Sequence, residues 1–314
     1  MSCCVCLSDQ YQPFLDKNDY QIVQCQACGF LYVYPRPGRE ELDAFYQNPN
    51  YFQGGGAYGY AAYCAERKEI ERQATERLAL IERLMARGRL LDVGCAAGYF
   101  LHVAKARGWQ VDGVEISRAV APSAEQLLGQ RIHPRLESLN AQPGSFDAVT
   151  LWEYIEHVLD PRDELLRLHR MLKPGGVLAL STPNTGQLHV RRHPGDWREF
   201  KPPEHLSFFT AETLTALLRA CGFEVSAIKP IAPDMRPSES TQRLIDRLRL
   251  NLGDRHTRST PFWWVYSITR RVLLAPTKLY HRLALTPLDY GQGIEAYARK
   301  DFQRTRINTD EHRS

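Results

Sequence analysis

The sequence predicts an α/β fold built on a doubly wound parallel sheet, and three observations predict it. From Arg89 onward, short apolar runs alternate with helical patterns. The first run breaks into a glycine-bearing turn, Asp92-Val-Gly94-Cys-Ala96-Ala-Gly98. The second run ends in an acid, Glu115, 21 residues after Gly94. Repeated strand–helix units bury a parallel sheet between helices. Right-handed crossovers then gather ligand contacts at the strand C-termini.

Taken in order, Arg89–Val93 reads as a short buried strand, Tyr99–Arg107 as a helix and Trp109–Val114 as a strand. Ser117–Leu128 is helical, Phe146–Leu151 a strand, Pro161–Leu172 a helix and Gly176–Ser181 a strand. Thr210 caps a helix over Thr210–Cys221 with Glu212 in its first turn. Phe223–Ile228 and Ile294–Arg299 are two further strands. Upstream, Ala61–Arg87 carries strong helix formers with Leu80 and Leu84 on one face, and Gly88 stops it.

The 314 residues suffice for one large domain and a small one. A net charge of +4 gives no reason to expect nucleic acid, and eight cysteines in a chain of this length do not read as a disulfide framework. There is no secretory apolar segment and no uncharged run of the roughly 18–20 residues that would span a bilayer. A cytoplasmic, reducing setting is the expectation.

Cys3-Cys-Val-Cys6 and Cys25-Gln-Ala-Cys28 are two C-x2-C pairs separated by eighteen residues. This spacing reads as a closed, structural zinc site, with Gly29 supplying a positive φ in its knuckle. Cys4 is the spare and competes with Cys3 as ligand. Residues 1–34 form this ribbon, and 35–61 read as a linker with a short helix near Glu40–Tyr46.

Three ligands compete for the glycine turn. A P-loop needs a Lys-Ser or Lys-Thr that is missing here. A dinucleotide fingerprint needs a third glycine where Tyr99 stands. S-adenosylmethionine carries an ammonium, a carboxylate and a ribose but no phosphate. Asp92 suits the ammonium, helix N-terminal amides suit the carboxylate, and Glu115 can accept both ribose hydroxyls.

Residues 89–184 resemble a class I S-adenosylmethionine-dependent methyltransferase. "LLDVGCAAGYF" is similar to the family's first motif, "VDGVEIS" to its acidic strand, "GSFDAVTLWEYIEHVLDP" to its fourth strand and "MLKPGGVLALSTPN" to its fifth. The resemblance implies a seven-stranded Rossmann-like sheet whose last strand is antiparallel. It places Asp92, Gly94, Ala96 and Gly98 at the methionine end and Glu115 at the ribose. Ile116, Leu136 and Glu137 fall near the adenine, and Trp152 either covers the cofactor or sits in the core. "CxxC…CxxCGFLYVYPRP" before such a domain is similar, more loosely, to bacterial methyltransferases of glycan and small-molecule biosynthesis.

Glu153, Glu156 and His157 have the spacing of one helical face. His157 could act as general base. Alternatively, all three could hold Mg2+, since E-x-x-E-H resembles a metal site in ubiquinone-pathway and small-RNA O-methyltransferases. Relatives also keep "EHV" where the histidine only packs. Residues 187–209 are too long and too furnished for a mere connector. They offer His205 as second catalytic candidate and His189 and His193 as weaker ones. Arg191, Arg192, Arg198 and Lys201 suit an anionic acceptor or a solvated face.

The methyltransferase domain is expected over 62–302, with a basic and aromatic helical insertion at 236–288 and a disordered tail at 303–314. Within the insertion, 236–282 holds ten basic side chains against three acidic ones. That local excess of +7 leaves the rest of the chain at −3. Residues 261–288 suit either a helix in a membrane interface at the inner face of the membrane or a packed helical pair. The expected activity is methylation, on oxygen, of a small-molecule, nucleotide-sugar or lipid/glycan-linked acceptor. An RNA methyltransferase and a non-catalytic cofactor-binding module are the alternatives.

Overall fold

The computed structural model describes residues 2–47, 66–231 and 291–301, without the side chain of His189. The insertion at 236–288, the tail at 303–314 and residues 48–65 lie outside the described residues.

A six-stranded sheet runs in the order β5-β4-β6-β7-β10-β9. Its strands are β4 (Arg89–Val93), β5 (Gln110–Val114), β6 (Phe146–Trp152), β7 (Leu172–Pro183), β9 (Phe223–Ile231) and β10 (Gly293–Lys300). β4, β5, β6 and β7 are mutually parallel, and β10 lies antiparallel between β7 and β9. The doubly wound α/β fold and its antiparallel last strand are as expected. The seventh position, beyond β5, holds only an isolated parallel bridge, Val114↔His133. "RIHPRLE" is too short and too polar to sustain a ladder against an edge strand.

The helices are α1 (Arg39–Gln47), α2 (Arg67–Leu84), α3 (Tyr99–Ala106), α4 (Ala121–Leu128), α5 (Pro161–Met171), α6 (Leu188–Arg192) and α7 (Ala211–Ala220). α5 starts where Asp160 accepts the Arg162 and Asp163 amides, and α7 starts at a Thr210–Thr213 box. Parallel strands buried on both faces read as unbroken apolar runs; Leu178, Ala179 and Leu180 of β7 are fully enclosed.

The N-terminal segment builds a second, antiparallel sheet from β1 (Tyr11–Lys17), β2 (Tyr20–Cys25) and β3 (Leu31–Val33). Its fourth strand, β8 (Ser207–Phe208), comes from the segment that follows β7. The two parts share a core: Cys3, Val5, Phe30 and Tyr32 pack in the same cluster as Phe209, Leu214 and Leu180. Among the described residues no helix is long and apolar enough to cross a membrane.

Candidate functional site

β4 ends at Val93, and the chain turns into α3 through Gly94 (φ +79°), Ala96 (φ +45°) and Gly98 (φ +77°). A Cβ on Gly94 would stand 2.8 Å from Cδ2 of Tyr154, so only glycine lets that ring close over the turn. A Cβ on Gly98 would stand 3.0 Å from that of Ala124, so this glycine sets the approach of α3 to α4. Beside the turn lies a cavity of about 260 Å³. Gly94, Ala96, Glu115, Ile116, Leu136 and Glu137 line it, as do Glu153, Tyr154 and His157. Asp92, Gly98, Trp152 and His205 are not among its lining residues.

Glu115 is buried, and its two oxygens accept the amides of Ala96 (2.9 Å) and Ser117 (2.8 Å). Burial raises its carboxyl above the ordinary range. One turn amide that the sequence offered to the cofactor is therefore already engaged. Asp92 lies behind the turn, takes the Thr150 hydroxyl at 2.7 Å, and is pushed up to about 7 by burial. Trp152 packs on Phe100, and Arg77 of α2 stacks on its face at 4.2 Å while pairing with Glu295 at 2.8 Å. Burial raises the carboxyls of Asp92 and Glu153, and the Arg77 charge opposes the rise at both. An arginine on an amphipathic helix carries no sequence signal for this placement. Nor does a tyrosine in a supposed linker, yet α1 brings Leu42, Asp43 and Tyr46 to the cavity.

Glu153, Glu156 and His157 do not share a helical face, because the segment after β6 is a chain of turns. Glu153 has φ +50°, and its carboxylate accepts the Ser181 hydroxyl at 2.6 Å. The turn instead swings Glu156 and His157 toward His205. Ligating atoms of these three lie within 4.8 Å of one another. The Glu156 backbone carbonyl accepts the Leu206 amide at 2.8 Å. Both of its carboxylate oxygens are buried without a hydrogen-bond partner.

The two imidazoles meet edge to face at 4.7 Å between centroids. Nδ1 of His157 lies 2.9 Å from the Glu204 carbonyl, and Nδ1 of His205 lies 3.0 Å from that of Glu199. A carbonyl can only accept, so Nδ1 of His205 carries the proton and its Nε2 the lone pair; at His157 the Tyr46 hydroxyl also lies 3.0 Å from Nδ1, and the Glu153 carbonyl is a second acceptor for the ring. Nε2 of His157 is 3.8 Å from Glu156. Burial and the Lys201 charge push His157 down to about 3. It is neutral near pH 7 but a weak proton acceptor, which counts against a lone histidine base. Two neutral imidazoles and an orphaned carboxylate, each histidine anchored through its other nitrogen, are a donor set that fits a divalent cation. Lys201 pairs with Glu199 and Glu204 at 3.3 and 3.2 Å, so its charge is balanced within the protein.

In the N-terminal sheet, the sulfurs of Cys3, Cys6, Cys25 and Cys28 lie within 4.8 Å of one another. Cys3–Cys28 and Cys6–Cys25 are 3.6 and 3.5 Å apart. A tetrahedral tetrathiolate zinc with ~2.3 Å bonds needs sulfur separations of about 3.8 Å, so the cluster fits. Gly29 has φ +74° in one knuckle, and Leu7 matches it at φ +63° in the other. Cys4 stands outside the cluster, buried and pushed up to about 12.

The fold is that of a methyltransferase domain. A family model described as a methyltransferase domain matches residues 64–228, just over half the chain, and the chain belongs to that family. It is similar to the ubiquinone biosynthesis O-methyltransferase of Dechloromonas aromatica, 39% identical over 107 residues, 32% of this chain and 46% of that protein. The Caulobacter vibrioides protein of the same name is 35% identical over 143 residues, 39% of this chain and 57% of that protein. The chain thus spans about half the length of these curated relatives. A solved S-adenosylmethionine-dependent methyltransferase from Archaeoglobus fulgidus aligns at TM-score 0.48 and 19% identity, covering 74% of this chain and 94% of that one.

Proposed function

We propose that this protein transfers the methyl group of S-adenosylmethionine to a hydroxyl oxygen of a small-molecule acceptor. Glu156, His157 and His205 would hold a divalent cation such as Mg2+, and the four N-terminal cysteines would hold a structural zinc. One observation carries the catalytic part: a buried carboxyl, Glu156, without a full hydrogen bond, whose ligating atoms lie within 4.8 Å of those of His157 and His205. The similarity to proteins named as O-methyltransferases supports transfer to oxygen. A nucleotide-sugar or lipid/glycan-linked hydroxyl is the finer reading of the acceptor.

Sulfonium is a good leaving group, so the enzyme's task is alignment and removal of a proton. The acceptor oxygen attacks the methyl carbon, the C–S bond breaks toward a neutral thioether, and the hydroxyl proton leaves. Glu115 would hold the ribose and Gly94–Ala96 the methionyl end. A bound divalent cation supplies the Lewis acidity that makes the hydroxyl easier to deprotonate. Glu153 lies at the cavity wall with its carboxyl raised by burial, and would receive the proton.

The test is label transfer from S-adenosylmethionine into a metabolite extract, followed by identification of the labelled molecule. Glu156→Gln and His205→Ala should each lower turnover by roughly 10²-fold or more, about 3 kcal/mol of transition-state free energy. Cofactor affinity should stay within about threefold. Full turnover after chelation that leaves zinc on the cysteines would remove the divalent cation from the mechanism.

A further inference from the structure

Arg36 follows β3 and reaches from the cysteine ribbon into the catalytic half of the molecule. Its Nη1 donates to the Val158 carbonyl and its Nη2 to Ser207 Oγ, both at 2.9 Å. Its Nε is buried without a partner. Among the described residues, no carboxylate pairs with it within 4.0 Å. The groups that most favour its charge are Cys4, Asp160, Tyr32 and Cys3. Asp160, the carboxylate among them, already caps α5. A second guanidinium, Arg162, also grips the first knuckle, bonding the carbonyls of Cys4 (2.6 Å) and Val5 (2.7 Å). Two cations thus converge on the ribbon against one carboxylate.

A partly buried cation whose Nε is enclosed and which has no carboxylate partner is unfavourable. Zn2+ with four thiolates carries a formal charge of −2, the anion this corner otherwise lacks. The anchors of Arg36 bracket the catalytic residues. Val158 follows His157. Ser207 lies two residues beyond His205, and both its amide and that of Leu206 bond the Glu156 carbonyl. Val33, three residues before Arg36, donates to the Leu206 carbonyl at 3.0 Å.

We propose that Arg36 is a positioning residue that couples metal occupancy of the cysteine ribbon to assembly of Glu156, His157 and His205. The inference rests on the zinc reading above. It makes the ribbon more than a staple: its charge holds Arg36 in place, and Arg36 holds the two catalytic segments together. Coupling between sites is reciprocal, so loss of the Arg36 charge must weaken the ribbon's hold on its metal.

The test uses the full-length protein with Co2+ in the ribbon, read by thiolate-to-cobalt absorption under competition from a chelator. Hydrogen exchange of peptides covering 153–158 and 205–208 is followed in parallel. Arg36→Gln should lower Co2+ affinity about tenfold or more, with Arg36→Lys restoring most of it. Stripping the metal from the parent should raise exchange in both peptides, and Arg36→Gln should show raised exchange with metal bound. Unchanged affinity in Arg36→Gln, or unchanged exchange on stripping, overturns the coupling. A parent protein that binds no thiolate metal overturns the zinc reading instead.

Discussion

Glu115 shows how one side chain can serve the fold and the site together. Its oxygens close the glycine turn through the Ala96 and Ser117 amides, and the same carboxylate faces the cavity. Glu115→Ala removes charge-assisted contacts of ~1.5–3 kcal/mol, so cofactor affinity measured by calorimetry should fall roughly 10- to 100-fold. Parent-level binding would contradict the ribose assignment. Gly98 acts through packing instead. Gly98→Ala meets both the positive φ and the 3.0 Å approach to Ala124, and should lower stability by ~1–3 kcal/mol, read as a shifted urea midpoint. Asp92, expected to meet the cofactor ammonium, is buried with Thr150 and does not itself line the cavity. The motif was legible, but which residues touch the ligand depends on a backbone path that spacing does not record.

Among the elements, α2 is tied to α3 and β5 by Glu82. This carboxylate accepts from Arg107, Arg87 and the Trp109 indole, and these bonds hold it down to about 2. A carboxyl depressed from about 4.5 stabilises the fold fully above that pH, and the contribution is lost as pH falls toward 2. Its side chain is 14% exposed, so the bonds are screened only in part. Glu82→Gln should cost ~1–3 kcal/mol at neutral pH and flatten the fall in melting temperature between pH 4.5 and 2. An unchanged slope would mean that other carboxylates govern acid unfolding. The turn after β6 teaches a different lesson. E-x-x-E-H has helical spacing, yet β6 runs on to Trp152, and the chain must reverse at once to reach α5. That sharp exit selects turns and sets His205, 48 residues away, beside His157.

At the scale of the molecule, the ribbon and the methyltransferase sheet are one structure. β8 completes the ribbon's sheet, and β8 begins two residues after His205. Removing a cysteine ligand should therefore be felt far from the sulfurs. Cys25→Ser is expected to lose bound zinc and lower the melting temperature. It should also depress turnover more than cofactor affinity, because no described residue of 1–34 is among those lining the cavity around Glu115. Equal losses in both would point to general unfolding. The sequence alone does not reveal this union, since Leu31 and Phe208 are partners 177 positions apart.

By itself the sequence determined the doubly wound sheet, the glycine turn with its paired acid, and the four-cysteine cluster, while the antiparallel last strand followed only from the family resemblance. These rest on periodicity and short-range spacing, which local backbone geometry fixes. Only the tertiary structure decided that Glu156, His157 and His205 converge, that α1 joins the cleft, that Arg77 packs on Trp152 beneath it, and that Arg36 bridges ribbon and site. Those contacts depend on how distant segments cross in space, and burial and charge balance, rather than local order, set where they meet.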